Sequence, residues 1–80
     1  MIEQDQLIAR ISKGARAEVR VQLRGFKDKD LIDVRVFAPA KDSVTLVPTS
    51  KGISLDISAL PELRAALEVA ESAARESGLL

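Results

Sequence analysis

The residues of this chain that could carry chemistry are few in kind. It has no His and no Cys, so no hydroxyl has an activating imidazole and no thiolate or imidazole set exists for a metal. No serine–lysine arrangement takes the place of the base. The carboxylates are scattered among basic residues at strand spacing, which suits surface ion pairs better than a metal site or an acid/base pair. The sequence therefore predicts a protein that is not an enzyme, with no metal and no cofactor. What remains is a constellation for binding: Arg20, Arg24, Lys27, Lys29, Arg35 and Lys51 around Phe26, one of only two aromatic residues in the chain. A Phe set between basic residues offers a face on which any base stacks, while Arg and Lys hold the phosphates on either side.

Net charge is zero, which taken alone argues against nucleic acid. Its distribution argues the other way. From Lys13 to Arg35 there are seven basic residues against four acidic, and from Asp56 onward two basic against five acidic. Segregation of this kind creates a local field that a neutral total conceals. Such a patch releases counterions from phosphates and gives sequence-independent, salt-sensitive affinity. Phe37 is the less informative aromatic, and its place is expected under a helix or at a dimer seam.

These side chains need elements to position them. The first six residues are polar and expected to fray, and Leu7–Ile11 fits either a short first strand or a bent extension of the next. From Ala15 to Leu23 alternation is strict, with Ala17, Val19, Val21 and Leu23 on one face and Glu18, Arg20, Gln22 and Arg24 on the other. A charged turn over Gly25–Asp30 leads to a second strand, Leu31–Phe37, ended by Pro39. Val44–Val47, closed by Pro48, and Ile53–Leu55 complete an antiparallel meander of four strands. The last third is helical, with Asp56 or Ser58 as cap, Pro61 in the first turn and Gly78 at the end. Leu60, Leu63, Leu67, Ala70 and Ala74 form an apolar, alanine-rich stripe suited to close approach by the sheet and by a partner helix.

The chain reads as a single domain over 1–80: an extension or short strand at 1–14, a β-meander at 15–55 and a helix at 56–77. Hydrophobic residues at 46% and charged residues at 30% are a folding composition. A chain this short buries only about 60% of its unfolded surface, and without cysteines the remaining remedy is association. A homodimer is expected on those grounds, with the stripe from Leu60 to Ala74 as its interface. No apolar run is long enough for a bilayer and the N-terminus lacks a signal-peptide pattern, so a soluble, cytoplasmic, nucleoid-associated protein is expected (nuclear if eukaryotic).

Three segments also occur in a telling order: Arg24-Gly25-Phe26-Lys27-Asp28-Lys29, then Leu31-Ile32-Asp33-Val34-Arg35, then Lys51-Gly52-Ile53-Ser54-Leu55. Their order and spacing resemble the DNA-binding domain of the positive cofactor four family of transcriptional coactivators, over roughly residues 15 to 75. The resemblance implies an α+β fold, a curved four-stranded antiparallel sheet followed by one C-terminal helix, dimerising through the helices. It implies binding of single-stranded or melted DNA, with the transcription machinery as a further partner. Phe26 matches the family's stacking Phe, Lys27 and Lys29 its loop lysines, and Arg24, Arg35 and Lys51 its phosphate contacts. Two positions depart from the pattern: the family's second stacking aromatic falls on Ala38, and a position usually small or glycine is Asp28. The acidic, serine-rich extension of eukaryotic members has no counterpart, which suggests a compact bacterial or phage form.

Two functions of different class follow. The first is a sequence-independent single-stranded-DNA-binding protein acting as a transcription coactivator or regulator, or in DNA maintenance. The second is a dimeric protein-interaction module that has lost tight DNA binding, favoured by Ala38 and the zero net charge.

Overall fold

A computed structural model describes residues 1–80. Four strands form one antiparallel sheet in chain order: β1 (Gln6–Gly14), β2 (Ala17–Phe26), β3 (Lys29–Pro39) and β4 (Leu46–Asp56). A 3-10 turn, Ile57–Ala59, leads into a single helix, α1 (Leu60–Glu76). The expected architecture of four strands and one C-terminal helix is present, with different strand bounds.

The differences have physical causes. Leu7–Ile11 lies inside a nine-residue strand, but a register shift between Leu7 and Ala9 breaks the alternation that would have revealed it. Leu46 and Val47 of the run expected at Val44–Val47 belong with Ile53–Leu55 to the single strand β4, which passes through Pro48 and Gly52, while Val44 and Thr45 precede it. A proline is tolerated there because β4 is an edge strand and needs ladder bonds on one side only. The charged turn is also tighter than Gly25–Asp30: Phe26 pairs with Lys29, leaving only Lys27 and Asp28 outside the ladder. Both have positive φ, 48° and 63°, the combination of a two-residue turn whose twist matches that of the strands it joins.

The N-terminal residues are tied down rather than frayed. The Ile2 amide donates to Asp30 Oδ1 at 2.7 Å and Asp5 pairs with Arg24. Gly25 permits this crossing, because a Cβ at that position would strike the Ile2 carbonyl oxygen.

Register divides the sheet into two faces. Val21 and Val34 pair across β2 and β3, and with Ile11, Ile32, Leu60, Leu63 and Leu67 they line a cleft of about 600 Å³ between the sheet and α1. The other face carries Arg20, Gln22, Asp33, Arg35 and Phe37. Asp56 starts the helical segment by accepting from the Ser58 amide and hydroxyl, at 3.0 and 2.6 Å. Those bonds, the hydroxyl's first, hold its carboxyl below the ordinary value. Burial is sparse: only Ile32, Asp33 and Phe37 are buried, and no residue of α1 is.

Candidate nucleic-acid interface

The β2–β3 hairpin ends in a compact cationic tip. Phe26 is 54% exposed, and Lys27 Nζ stands 5.2 Å from the centre of its ring. Lys29 is the direct cross-strand neighbour of Phe26. Neither lysine takes part in an ion pair. A half-exposed ring flanked by two ammonium groups outside any ion pair has the chemistry to receive a planar base with phosphates beside it. Arg24 stands two residues before Phe26, with its guanidinium turned to Asp5 at 3.1 Å.

A second cluster crosses the middle of the polar face. Arg10, Arg20 and Arg35 are successive register partners across β1, β2 and β3. Like charges so placed repel, and two carboxylates relieve them. Glu18 accepts from Arg10 Nε at 2.9 Å and from Arg20 Nε at 2.6 Å. The bond from Arg10 and then that from Arg20 hold its carboxyl below the ordinary glutamate value, while Glu18 raises the Arg10 guanidinium in turn. Asp33, fully buried, accepts from Arg35 Nε and Nη2 and from Ser54 Oγ at 2.8 Å. The row thus has three cations and two anions and is far less positive than its arginines alone suggest.

Phe37 belongs to this row and not to the space under the helix. It lies on the face opposite α1, paired with Glu18 and Pro48, and the Arg20 guanidinium sits 4.3 Å above its ring. Arg20 is therefore held by a carboxylate and by an aromatic face at once. Arg35 was expected as an outward side chain free for phosphate. It is only 18% exposed and carries the buried Asp33, 1% exposed. Replacing it by an apolar residue would leave that carboxylate unpaired, which costs on the order of 3–5 kcal/mol.

Lys51 is exposed and unpaired on a bulge of β4. With Lys13 it rims a shallow trough of about 400 Å³ floored by Val19, Val34, Val36 and Ile53, on the helix-bearing face. The seven basic and aromatic residues picked from the sequence therefore fall into three groups. Phe26, Lys27, Lys29 and Arg24 share the hairpin tip, Arg20 and Arg35 share the arginine row, and Lys51 stands apart. Along β3 the tip and the row are six residues apart, roughly 20 Å. Arg10 was missed because β1 itself was not resolved in the pattern. Ala38 pairs with Val47 on the helix-bearing face, where it offers no ring.

Of the five residues expected at a helix interface, Leu60, Leu63 and Ala74 are half-buried and Ala70 is exposed. Leu67 is 61% exposed, and beside the stripe Val69 is 69% exposed.

Comparison with known proteins agrees with the fold. A family model described as Transcriptional Coactivator p15 (PC4) matches residues 13–66. The chain belongs to that family. Among solved structures it is similar to a PC4 homolog from Burkholderia pseudomallei K96243 in two crystal forms. The orthorhombic form is 27% identical, with a TM-score of 0.74 over 89% of this chain and 95% of that one. The tetragonal form is 26% identical, with a TM-score of 0.75 over 85% and 98%. A bacteriophage T5 homolog of the eukaryotic coactivator PC4, implicated in recombination-dependent DNA replication, shares the fold at 22% identity, with a TM-score of 0.65 over 96% and 84%. No curated protein matches.

Proposed function

We propose that this member of the family is a non-enzymatic, homodimeric protein that binds single-stranded or melted DNA without sequence preference, in transcription or in DNA maintenance. The observation that carries the reading is the hairpin tip, where Phe26 lies open to solvent between Lys27 and Lys29. A duplex buries its base faces in the stack, whereas an unpaired strand offers them to such a ring. The lysines supply the salt-sensitive part of the affinity, and the self-neutralised arginine row supplies less of it than its charges suggest.

Sparse burial supports the homodimer. A chain with three buried residues and an open apolar cleft beside α1 has little to hold it together alone, and a second copy of the Leu60–Ala74 stripe would close that cleft. The neutralised arginines and Ala38 favour the other reading, a dimeric protein-interaction module.

A salt titration of a labelled oligonucleotide, single-stranded against duplex, separates the two. The DNA-binding reading expects preference for the single strand and a log–log slope of about −0.7 per phosphate neutralised, near −2 for the three unpaired lysines of the two sites. Equal affinity for both forms, or a slope near zero, rejects it.

A further inference from the structure

The arginine row contains a side chain whose bonds point along the chain rather than outward. Between the pairs Arg35–Gly52 and Phe37–Pro48, β3 advances by one intervening residue, Val36, while β4 advances by three, Thr49, Ser50 and Lys51. A three-residue excursion on an edge strand is mobile unless something fastens it. Here three bonds do. Arg35 Nη1 donates to the Thr49 carbonyl at 3.0 Å, Thr49 Oγ1 donates to the Val36 carbonyl at 2.8 Å, and the Lys51 amide donates to Thr49 Oγ1 at 3.2 Å.

Arg35 is itself fixed by Asp33, and Asp33 also accepts from Ser54 Oγ. Thr49 precedes the bulge apex and Ser54 follows it, so the Asp33–Arg35 pair, its carboxylate buried, grips β4 on both sides of Lys51. Gly52 completes the re-entry: its φ is +151°, and a Cβ there would strike the Val34 carbonyl oxygen and lie 2.7 Å from Arg35 Cα. Three of the five N–H groups of Arg35 are taken by these bonds, and its charge is matched by a buried carboxylate. Lys51 is exposed and matched by none.

We propose that Arg35 is a positioning residue for DNA binding: braced by Asp33, it fixes the Thr49–Lys51 bulge so that the Lys51 ammonium, and not its own guanidinium, meets the phosphate. This rests on the DNA-binding reading above. It predicts coupling between two side chains that a picture of two independent phosphate contacts treats as separate.

The test is a double-mutant cycle with a labelled oligothymidylate as probe. The variants are Arg35→Lys, which keeps the charge on Asp33, Lys51→Ala, and the two combined. Lys51→Ala should weaken binding about fivefold and reduce the salt slope by about 0.7. Arg35→Lys should weaken it about three- to fivefold, and the double variant should be no weaker than Lys51→Ala alone. Thr49→Val keeps every charge, the Asp33–Arg35 pair and the Arg35 bond to the Thr49 carbonyl, and removes only the two bonds of Thr49 Oγ1, so it should lose less than Arg35→Lys. Equal cost of Arg35→Lys with and without Lys51, or a larger loss in Thr49→Val than in Arg35→Lys, overturns the proposal. Amide hydrogen exchange on the free protein gives a readout independent of DNA. The Lys51 amide should exchange faster in Arg35→Lys while Ile32 stays protected, and unchanged exchange at Lys51 overturns the proposal even if the wild type fails to bind oligonucleotides.

Discussion

Glu18 shows how a side chain far from the hairpin tip shapes what the tip can do. By accepting from Arg10 and Arg20 it removes much of the field that the arginine row would otherwise project, so that Lys27, Lys29 and Lys51, which form no ion pair, carry more of the unmatched positive charge among the proposed contacts. The same bonds make it acid-sensitive. Its carboxyl titrates lower in the folded protein than the ordinary 4.5, so its stabilisation is present above that value and is lost as pH falls through the folded pKa. Asp56, lowered by the Ser58 bonds, contributes with the same sign. We expect thermal stability to fall as pH drops below about 4.5, and Glu18→Gln to flatten that decline in melts recorded across pH. A decline as steep in Glu18→Gln as in the wild type would contradict the assignment. The pairing of Arg20 and Arg35 was legible in principle, because Glu18–Arg20 and Asp33–Arg35 are separated by two residues and so share a strand face. The Arg24–Asp5 pair was not, since it depends on an N-terminal segment crossing the hairpin at Gly25.

At the scale of elements, the two central strands were readable and the two edges were not. β2 and β3 keep a strict period of two because each has neighbours on both sides and a buried face to maintain. β1 breaks its alternation at Ile8, and β4 contains Pro48 and a bulge, irregularities that only an edge strand tolerates. Phe37 was misplaced for a related reason: its parity puts it on the polar face, where burial came from Arg20 and its cross-strand partners, not from the helix. The hairpin itself carries a testable strain. Asp28 sits at φ 63° and sets a carboxylate beside the two lysines of the tip. Asp28→Gly should adopt this turn without steric cost and stabilise the fold by up to about 1 kcal/mol. It should also tighten oligonucleotide binding about two- to threefold, by removing a nearby negative charge. Paired thermal melts and anisotropy titrations check both parts.

For the whole molecule, the question is how so thin a structure persists. Its extents are 40 × 34 × 18 Å, every residue of β1 is exposed, and the apolar side of α1 lies open. A homodimer predicts that the melting temperature rises with protein concentration. Leu67 is 61% exposed within one chain, so Leu67→Lys disturbs few contacts of its own chain and should act by dissociating the pair. Sedimentation should find the wild type as a dimer at micromolar concentration and Leu67→Lys as a monomer with a lower melting temperature. A wild type that sediments as a monomer, or a melting temperature independent of concentration, would contradict this. The fold and the hairpin turn were legible because they rest on local pattern, whereas the proposed second copy rests only on an argument from size.

The central claim is that Phe26 is a platform for bases and the lysines are contacts for phosphates. Anisotropy titration of Phe26→Ala beside the wild type, with one labelled single strand across a series of salt concentrations, tests it most directly. Loss of a stacking platform worth about 1–3 kcal/mol per base should lower affinity about tenfold at every salt concentration, leaving two parallel log–log lines. Superimposed lines would mean that the exposed ring at the hairpin tip takes no part in binding, and the account would be wrong at its centre.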